Sequence, residues 1–418
     1  MSRAFWVRVH RWAGLAMAGF LVIVGLTGGV LAFREELDVW LNPELATVAP
    51  RDAPMLDPLV LRERAAALYP DARIDAAPLR IEPGRSFEIR VHRRAPEGGA
   101  LTTFVSLDPY TGEKLGARDW GEVSLARKDI IFFLYRLHYT LALPASTGGL
   151  GAYLLGVTAL VWTIDCFVSA YLTLPQQRGE KRIASAKSWW SRWRPAWLIK
   201  FGAGAYRINF DIHRAFGLWT WAMLLVFAWS SVGFNLDGVY TPTMRALFGL
   251  SRPNANPPMR ANPLDRPRLD WREARDVGRA LLGEQARQNG FAIEREESIA
   301  LDREHGVYTI SAHSSLDIGK RAGASVTFDA DTGVLREAAW TGSASEKAGD
   351  VIDRWLAALH TAAVFGLPMK IFVCAMGAVI ATLSATGVYI WWKKRVARRR
   401  HPRASAHVPI AIERRARS

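Results

Sequence analysis

Residues 9–33 read VHRWAGLAMAGFLVIVGLTGGVLAF, and residues 213–234 read HRAFGLWTWAMLLVFAWSSVGF. Each contains His-Arg-x-x-Gly-Leu, and no Asp, Glu, Lys or Arg follows that motif within either stretch. About 20 apolar residues in a helix cover a hydrocarbon core of about 30 Å, so both stretches read as membrane spans opened by one motif. Two further apolar stretches are paired in the same way. RLHYTLALP (Arg136–Pro144) precedes one and ALHTAAVFGLP (Ala358–Pro368) opens the other. Four spans are therefore expected, over Val9–Phe33, Thr147–Leu174, Phe216–Phe234 and Val364–Trp392. FREELD (Phe33–Asp38) follows the first without a small-x-small cleavage site, which makes that span an uncleaved anchor rather than a secretory signal.

The order of span, long polar segment and span occurs twice, so the chain reads as an internal parallel duplication. Within the polar segments, TTFVSLDPYTG (Thr102–Gly112) recurs as SVTFDADTG (Ser325–Gly333), followed by Trp120 and Trp340. Each segment starts with a helical pattern, LVLRERAAAL at 59–68 and WREARDVGRALL at 271–282. Alternating strands follow, FEIRV at 87–91 and VYTIS at 307–311. The expected fold is membrane α-helical, with four transmembrane helices and two α+β units. The first half divides into a span in 1–36, an α+β unit in 37–128, and a histidine-bearing helix with the second span in 129–175. A basic, Trp-rich loop in 176–205 joins the halves. The second half has a span in 206–236, an α+β unit in 237–350, a histidine-bearing helix with the last span in 351–394, and a basic tail in 395–418. The two Asp-x-x-Thr-Gly turns read as structural, because Asp and Gly suit the turn and no catalytic partner lies nearby.

Charge gives the orientation. The 418 residues carry 54 Lys and Arg against 39 Asp and Glu, a formal charge of +15. Arg3, Arg8 and Arg11 precede the first span, and KKRVARRR (Lys393–Arg400) follows the last. Between the second and third lie Arg178, Lys181, Arg182, Lys187, Arg192, Arg194, Lys200 and Arg207. Lys and Arg flank spans on the cytoplasmic side, so both termini are expected inside and both α+β units outside. Basic clusters beside spans point to a lipid surface and away from nucleic acid. Cys166 and Cys374 sit in apolar runs, which excludes a disulfide framework and any CxxC site. No GxGxxG or GxxxxGK[ST] stands between a strand and a helix, so no nucleotide domain is indicated.

Nine histidines remain to be placed. His92, His305 and His313 in the polar segments, and His401 and His407 in the tail, read as surface residues. The other four fall at repeated positions. His10 and His213 open the first and third spans, and His138 and His360 precede the second and fourth. One such histidine is ordinarily an interfacial anchor. Four at two matched levels suggest two facing pairs, His10 with His213 and His138 with His360. Two imidazoles inside a helical bundle suit a haem iron with both axial positions filled. Zinc needs more ligands, and copper stays an alternative, although no Met cluster accompanies the histidines. Gly14 and Gly217 follow one turn after the inner pair, where a flat macrocycle needs room. Arg11 and Arg214 can pair with propionates or serve only as inner-side anchors, and Arg136 and Arg354 are candidates for the outer level. Asp165 inside the second span is either functional, as a proton acceptor or a partner to a ligand, or satisfied at the polar boundary. Trp189, Trp190, Trp193 and Trp197, among Arg192, Arg194 and Lys200, suit the lipid surface, a flavin or an acidic redox partner. No catalytic residue is singled out.

The HR-x-x-GL openings, the LDPYTG and FDADTG turns and the closing GVYIWWKK (Gly387–Lys394) resemble the PepSY-associated transmembrane family over nearly the whole chain. WRPAWLIKFGAGAYRINFDIHRAFGLW (Trp193–Trp219) and DCFVSAYLTLP (Asp165–Pro175) resemble its siderophore-linked branch. The resemblance implies a bacterial inner-membrane protein with periplasmic PepSY units, two b-type haems on the repeat histidines, and reduction of a periplasmic ferric-siderophore. Some relatives carry a flavoprotein reductase domain. None is found here, so an external flavin, a quinol or a cytoplasmic protein is the expected donor. The alternative from another class is a haem-free PepSY membrane protein that binds or restrains a periplasmic partner such as a protease. A permease is disfavoured, because no span reads as broken by a polar unwound stretch.

Overall fold

The computed structural model describes residues 1–94, 100–176, 188–251 and 259–400. The first half runs α1 (Arg3–Leu31), α2 (Arg34–Leu41), α3 (Pro43–Ala46), α4 (Pro58–Leu68), β1 (Ala76–Pro78), β2 (Phe87–Arg94), β3 (Ala100–Leu107), β4 (Lys114–Trp120), α5 (Ile130–Thr140) and α6 (Leu150–Thr173). The second half begins with α7 (Trp189–Trp193), α8 (Ala205–Trp219), α9 (Trp221–Asn235), α10 (Asp237–Phe248) and α11 (Trp271–Asn289). It continues with β5 (Ile293–Asp302), β6 (Val307–Ser314), β7 (Ala324–Asp329), β8 (Leu335–Ala339), α12 (Ala348–His360) and α13 (Gly366–Arg400). Arg178, Lys181, Arg182 and Lys187 of the basic loop, and the tail beyond Arg400 with His401 and His407, lie outside the described residues.

Helices α1, α6 and α13 are each long and apolar enough to cross a membrane, with mean hydropathy of 2.1, 1.6 and 2.0. Where an unbroken third span was expected over Phe216–Phe234, the chain instead forms the pair α8 and α9, bent by 69°. Thr220 at the joint leaves helical geometry at φ −108°, ψ 7°. Its N–H and its hydroxyl both bond the Phe216 carbonyl, at 3.1 and 2.7 Å. The bend therefore leaves these polar groups satisfied in apolar surroundings. Trp221 pins it from the side, its indole N–H donating to the Cys166 carbonyl of α6 at 2.8 Å.

Glycine sets how α1 meets α13. Lipid tails are as apolar as side chains, so helices associate in a membrane by close van der Waals approach at small residues. A Cβ on Gly25 would lie 2.9 Å from the Gly377 carbonyl oxygen, and one on Gly29 3.2 Å from that of Cys374. A Cβ on Gly377 would overlap the Gly25 carbonyl. Gly377→Val is accordingly expected to cost about 1–3 kcal/mol through overpacking and to lower the thermal midpoint in detergent. Gly19→Val, where a Cβ meets nothing within 4 Å, should not. Equal midpoints for the two variants would mean that the crossing is loose.

The two polar segments share a sheet and a hydrophobic core. Strands β2, β3 and β4 form one antiparallel sheet, while β1 leaves the first segment and joins the order β1-β5-β6-β7-β8. Ala76 of β1 lies opposite Ala300 of β5. One core follows, with Leu59, Phe87 and Val105 from the first segment and Leu282, Tyr308 and Phe328 from the second. Arg275–Asp57 and Arg303–Asp75, both at 2.6 Å, pair across the join. Arg62 stacks 3.7 Å from the Trp271 ring centre. The two Asp-x-x-Thr-Gly turns are alike. Asp108 Oδ1 accepts from the N–H of Tyr110 at 2.8 Å and of Thr111 at 3.2 Å. Asp329 Oδ1 accepts from Asp331 at 3.1 Å and Thr332 at 3.0 Å. Burial pushes the Asp329 carboxyl up, but Arg336 and the turn donors outweigh it and hold it at about 2. These aspartates build turns.

Candidate functional site

His10 on α1 and His213 on α8 face each other with ring centres 6.1 Å apart and planes at 54°. His138 on α5 and His360 on α12 stand 6.3 Å apart at 74°. The pairs lie far apart along α1: from His10 to Thr27, which touches His138, the helix rises about 26 Å. Each outer histidine lies in the last turn of a short helix, and the chain then turns back into the next long one through left-handed residues. Leu141 and Ala142 follow His138, and Ala362 and Phe365 follow His360. Among the described residues these four are the non-glycine residues with positive φ. Such positions cost about 1 kcal/mol or more each and cluster at functional sites.

All four imidazoles are held by Nδ1. His10 Nδ1 lies 3.0 and 2.9 Å from the two carboxylate oxygens of Asp165 on α6. His213 Nδ1 lies 3.0 Å from both the Leu383 carbonyl and the Thr386 hydroxyl of α13. His138 Nδ1 meets Thr27 Oγ1 at 3.1 Å, and His360 Nδ1 meets Ser230 Oγ at 2.7 Å. The hydroxyl hydrogens are engaged elsewhere. Thr27 donates to the Ile23 carbonyl at 2.7 Å, Ser230 to that of Val226 at 2.6 Å and Thr386 to that of Thr382 at 2.7 Å. In each case Nδ1 must be the donor, which fixes the tautomer and leaves the Nε2 lone pair. Among the described residues no hydrogen bond reaches any of the four Nε2 atoms. A metal between two such nitrogens places the ring centres about 6 Å apart, from two bonds of about 2 Å and about 1.1 Å within each ring.

Space is provided by glycine. A Cβ on Gly28 would lie 2.8 Å from His138 Cε1, and one on Gly387 3.3 Å from His213 Cε1. A Cβ on Gly14 or Gly217 would meet nothing within 4 Å. Phe227 and Phe234 each present an edge-on contact to His360, at 5.2 Å. Arg11 makes no hydrogen bond among the described residues, whereas Arg214 is bonded to Asp211 at 2.8 Å and to the Pro195 carbonyl at 2.5 Å. The outer candidates are committed to the fold. Arg136 donates to the carbonyls of Gly121 and Leu143, and Arg354 pairs with Glu346. His313, expected at the surface, is 2% exposed beside Asp317 and Glu297. In the Trp-rich loop, Trp193 donates to Thr173 Oγ1 at 3.2 Å and Trp189 and Trp190 are exposed.

Sequence reasoning passed over Thr27, Ser230, Thr386, Gly28 and Gly387. Thr27 and Ser230 stand at the same distance beyond the two His-Arg motifs. A hydroxyl repeated at that position inside an apolar span was the available signal.

These features define a helical membrane protein that carries paired imidazoles beside a fused α+β body. The chain belongs to the family described as the PepSY-associated TM region, whose family model matches residues 7–394. No curated protein matches it.

Proposed function

We propose that the chain is a di-haem electron conduit of a bacterial inner membrane, an oxidoreductase acting on a periplasmic ferric-siderophore. The observation that carries this reading is the set of four histidines with donating Nδ1 and unblocked Nε2, in pairs 6.1 and 6.3 Å between ring centres. His10 and His213 would hold one b-type haem and His138 and His360 the other, each through the Nε2 that its Nδ1 contact leaves free. Bound haem supplies reversible one-electron chemistry. The acceptors on Nδ1 keep each ring in the ligating tautomer, and Gly14 and Gly217 leave room beside the inner pair. Arg11 has donors available for a propionate. Arg214 can share this role only alongside Asp211. With two histidines at each level, such a site would suit electron transfer rather than O₂ chemistry. Two levels also divide a barrier of about 30 Å into shorter steps.

The Lys and Arg distribution supports four spans with both termini cytoplasmic, the bent pair α8–α9 serving as the third. The matched histidines, turns and hydroxyls support a parallel duplication. The substrate rests on the resemblance to siderophore reductases. Reduction would loosen iron from hard-oxygen chelators, because Fe(II) matches them less well than Fe(III). The donor would be a quinol, a flavin or a cytoplasmic protein reaching the inner pair, with lipid against the Trp-rich loop.

The purified protein is expected to be red, with a Soret band and two low-spin haems per chain. The haem should extract into acid-acetone, because no CxxCH exists to attach it. A colourless protein after expression with ample haem would remove this reading. The haem-free alternative, a membrane protein that binds a periplasmic partner such as a protease, would then stand.

A further inference from the structure

The four Nδ1 atoms are not equally served. His138, His213 and His360 donate to hydroxyl or carbonyl oxygens, all neutral. His10 alone donates to a carboxylate, with both oxygens of Asp165 within 3.0 Å. Asp165 is buried at 7% exposure on α6, within a span. Among the described residues no Lys or Arg forms an ion pair with it. A buried charge is costly unless something pairs with it, and here the His10 ring N–H is the one polar partner shown. The corresponding contact to His213 uses a threonine and a main-chain carbonyl, so this asymmetry between the halves concerns charge.

We infer that Asp165 is a positioning residue that holds the His10–His213 haem at the lower potential of the two, so that electrons run from the inner pair to the outer. This inference rests on the di-haem reading. A carboxylate hydrogen-bonded to the distal nitrogen of a ligating imidazole makes the imidazole a stronger donor. In a low-dielectric interior, its negative charge also acts with little screening. Both effects favour the oxidised iron, which carries one more positive charge, over the reduced iron. Thr27 and Ser230 fix their rings as firmly but add no charge, so the outer site lacks this bias. Hydrogen bonding around the ligands is one of the means by which a protein sets such potentials.

The test is a redox titration of the haem-loaded protein, followed by visible absorption. The wild type should resolve two one-electron waves, and the lower wave should be the one missing in His213→Ala. Asp165→Asn should raise the lower wave by at least a tenfold change in the ratio of reduced to oxidised haem, about 59 mV for one electron. The upper wave should stay in place, and Asp165→Glu should restore most of the shift. A carboxylate that acts only as a prop, or that is protonated, would leave the wave of Asp165→Asn unmoved. That result overturns the inference, as does an equal shift of both waves. If Asp165→Asn does not hold its haem, the wild-type assignment still decides, because an inner haem at the higher potential contradicts the proposal. Protein without a Soret band sinks this and the di-haem reading together. Two haems with unshifted waves sink this one alone.

Discussion

Replacing His10 by alanine is expected to take the haem content from two per chain to one, and His213→Ala should remove the same haem. The pairs are separated by about 26 Å along α1, so no histidine of the outer level can substitute for a lost inner ligand. His138→Ala and His360→Ala should each remove the outer haem and spare the inner. The double variant His10→Ala/His213→Ala should lose no more than either single one, because both residues would serve one iron. Haem-to-protein ratios and the low-spin spectrum measure this directly. Partial reactions should divide accordingly. An outer-site variant should accept electrons from the inner side but fail to reduce a ferric chelate. An inner-site variant, reduced chemically, should still be oxidised by the chelate. If His10→Ala and His138→Ala lose the same haem, the pairing by depth is wrong. If none of the four loses haem, these residues are interfacial anchors.

Repetition is the feature of this sequence that carried most information. His10 and His213 could be set opposite each other because the same six-residue motif opens both stretches, and the ring centres do lie 6.1 Å apart. A repeat reports what two halves share, and the structural surprises lie where they differ. The bend between α8 and α9 hangs on Thr220 and on a bond from Trp221 to α6. Ala18, at the position of α1 that matches Trp221, has no ring N–H to make that contact, and apolar periodicity is blind to it. Strand β1 is three residues long and pairs outside its own segment. Local pattern cannot show such pairing, because a strand's partner is a long-range choice. Arg136 and Arg354 looked alike in the sequence as cations beside the outer histidines. Their partners, main-chain carbonyls for one and Glu346 for the other, are tertiary facts. Asp165 was visible as a charge in a span. Its contact with His10, 155 residues away, was not.

Arg118→Ala should destabilise the α+β body markedly, and its effect should reach the outer histidine pair. Arg118 on β4 is 4% exposed. Its guanidinium bonds both carboxylate oxygens of Asp38 on α2, at 2.7 and 3.0 Å, and Glu88 on β2 at 3.0 Å. It also donates to the Lys128 carbonyl at 3.2 Å, two residues before α5, and lies 4.3 Å from the Phe132 ring centre within α5. One cation thus ties the exit of α1, two strands and the start of the helix whose last turn carries His138. Removing one partner of a buried pair costs about 3–5 kcal/mol, because the remaining charge loses its compensation. Glu88 is partly exposed and can turn to water, so about 3 kcal/mol is expected. At about 2–4 °C per kcal/mol for a body of this size, the thermal midpoint should fall by about 6–12 °C. Arg127→Ala is the control, since Arg127 pairs with Glu44 at an exposed site and should change stability by about 0.5 kcal/mol or less. Below its melting point the Arg118→Ala protein should keep the inner haem and lose part of the outer one, because α5 would no longer be anchored at its start. Melting curves and haem content of the two variants answer both points. If Arg118→Ala melts together with Arg127→Ala, the buried cluster does not hold α2 to the sheet. If it melts early but keeps full outer haem, His138 is positioned by Thr27 and Gly28 alone.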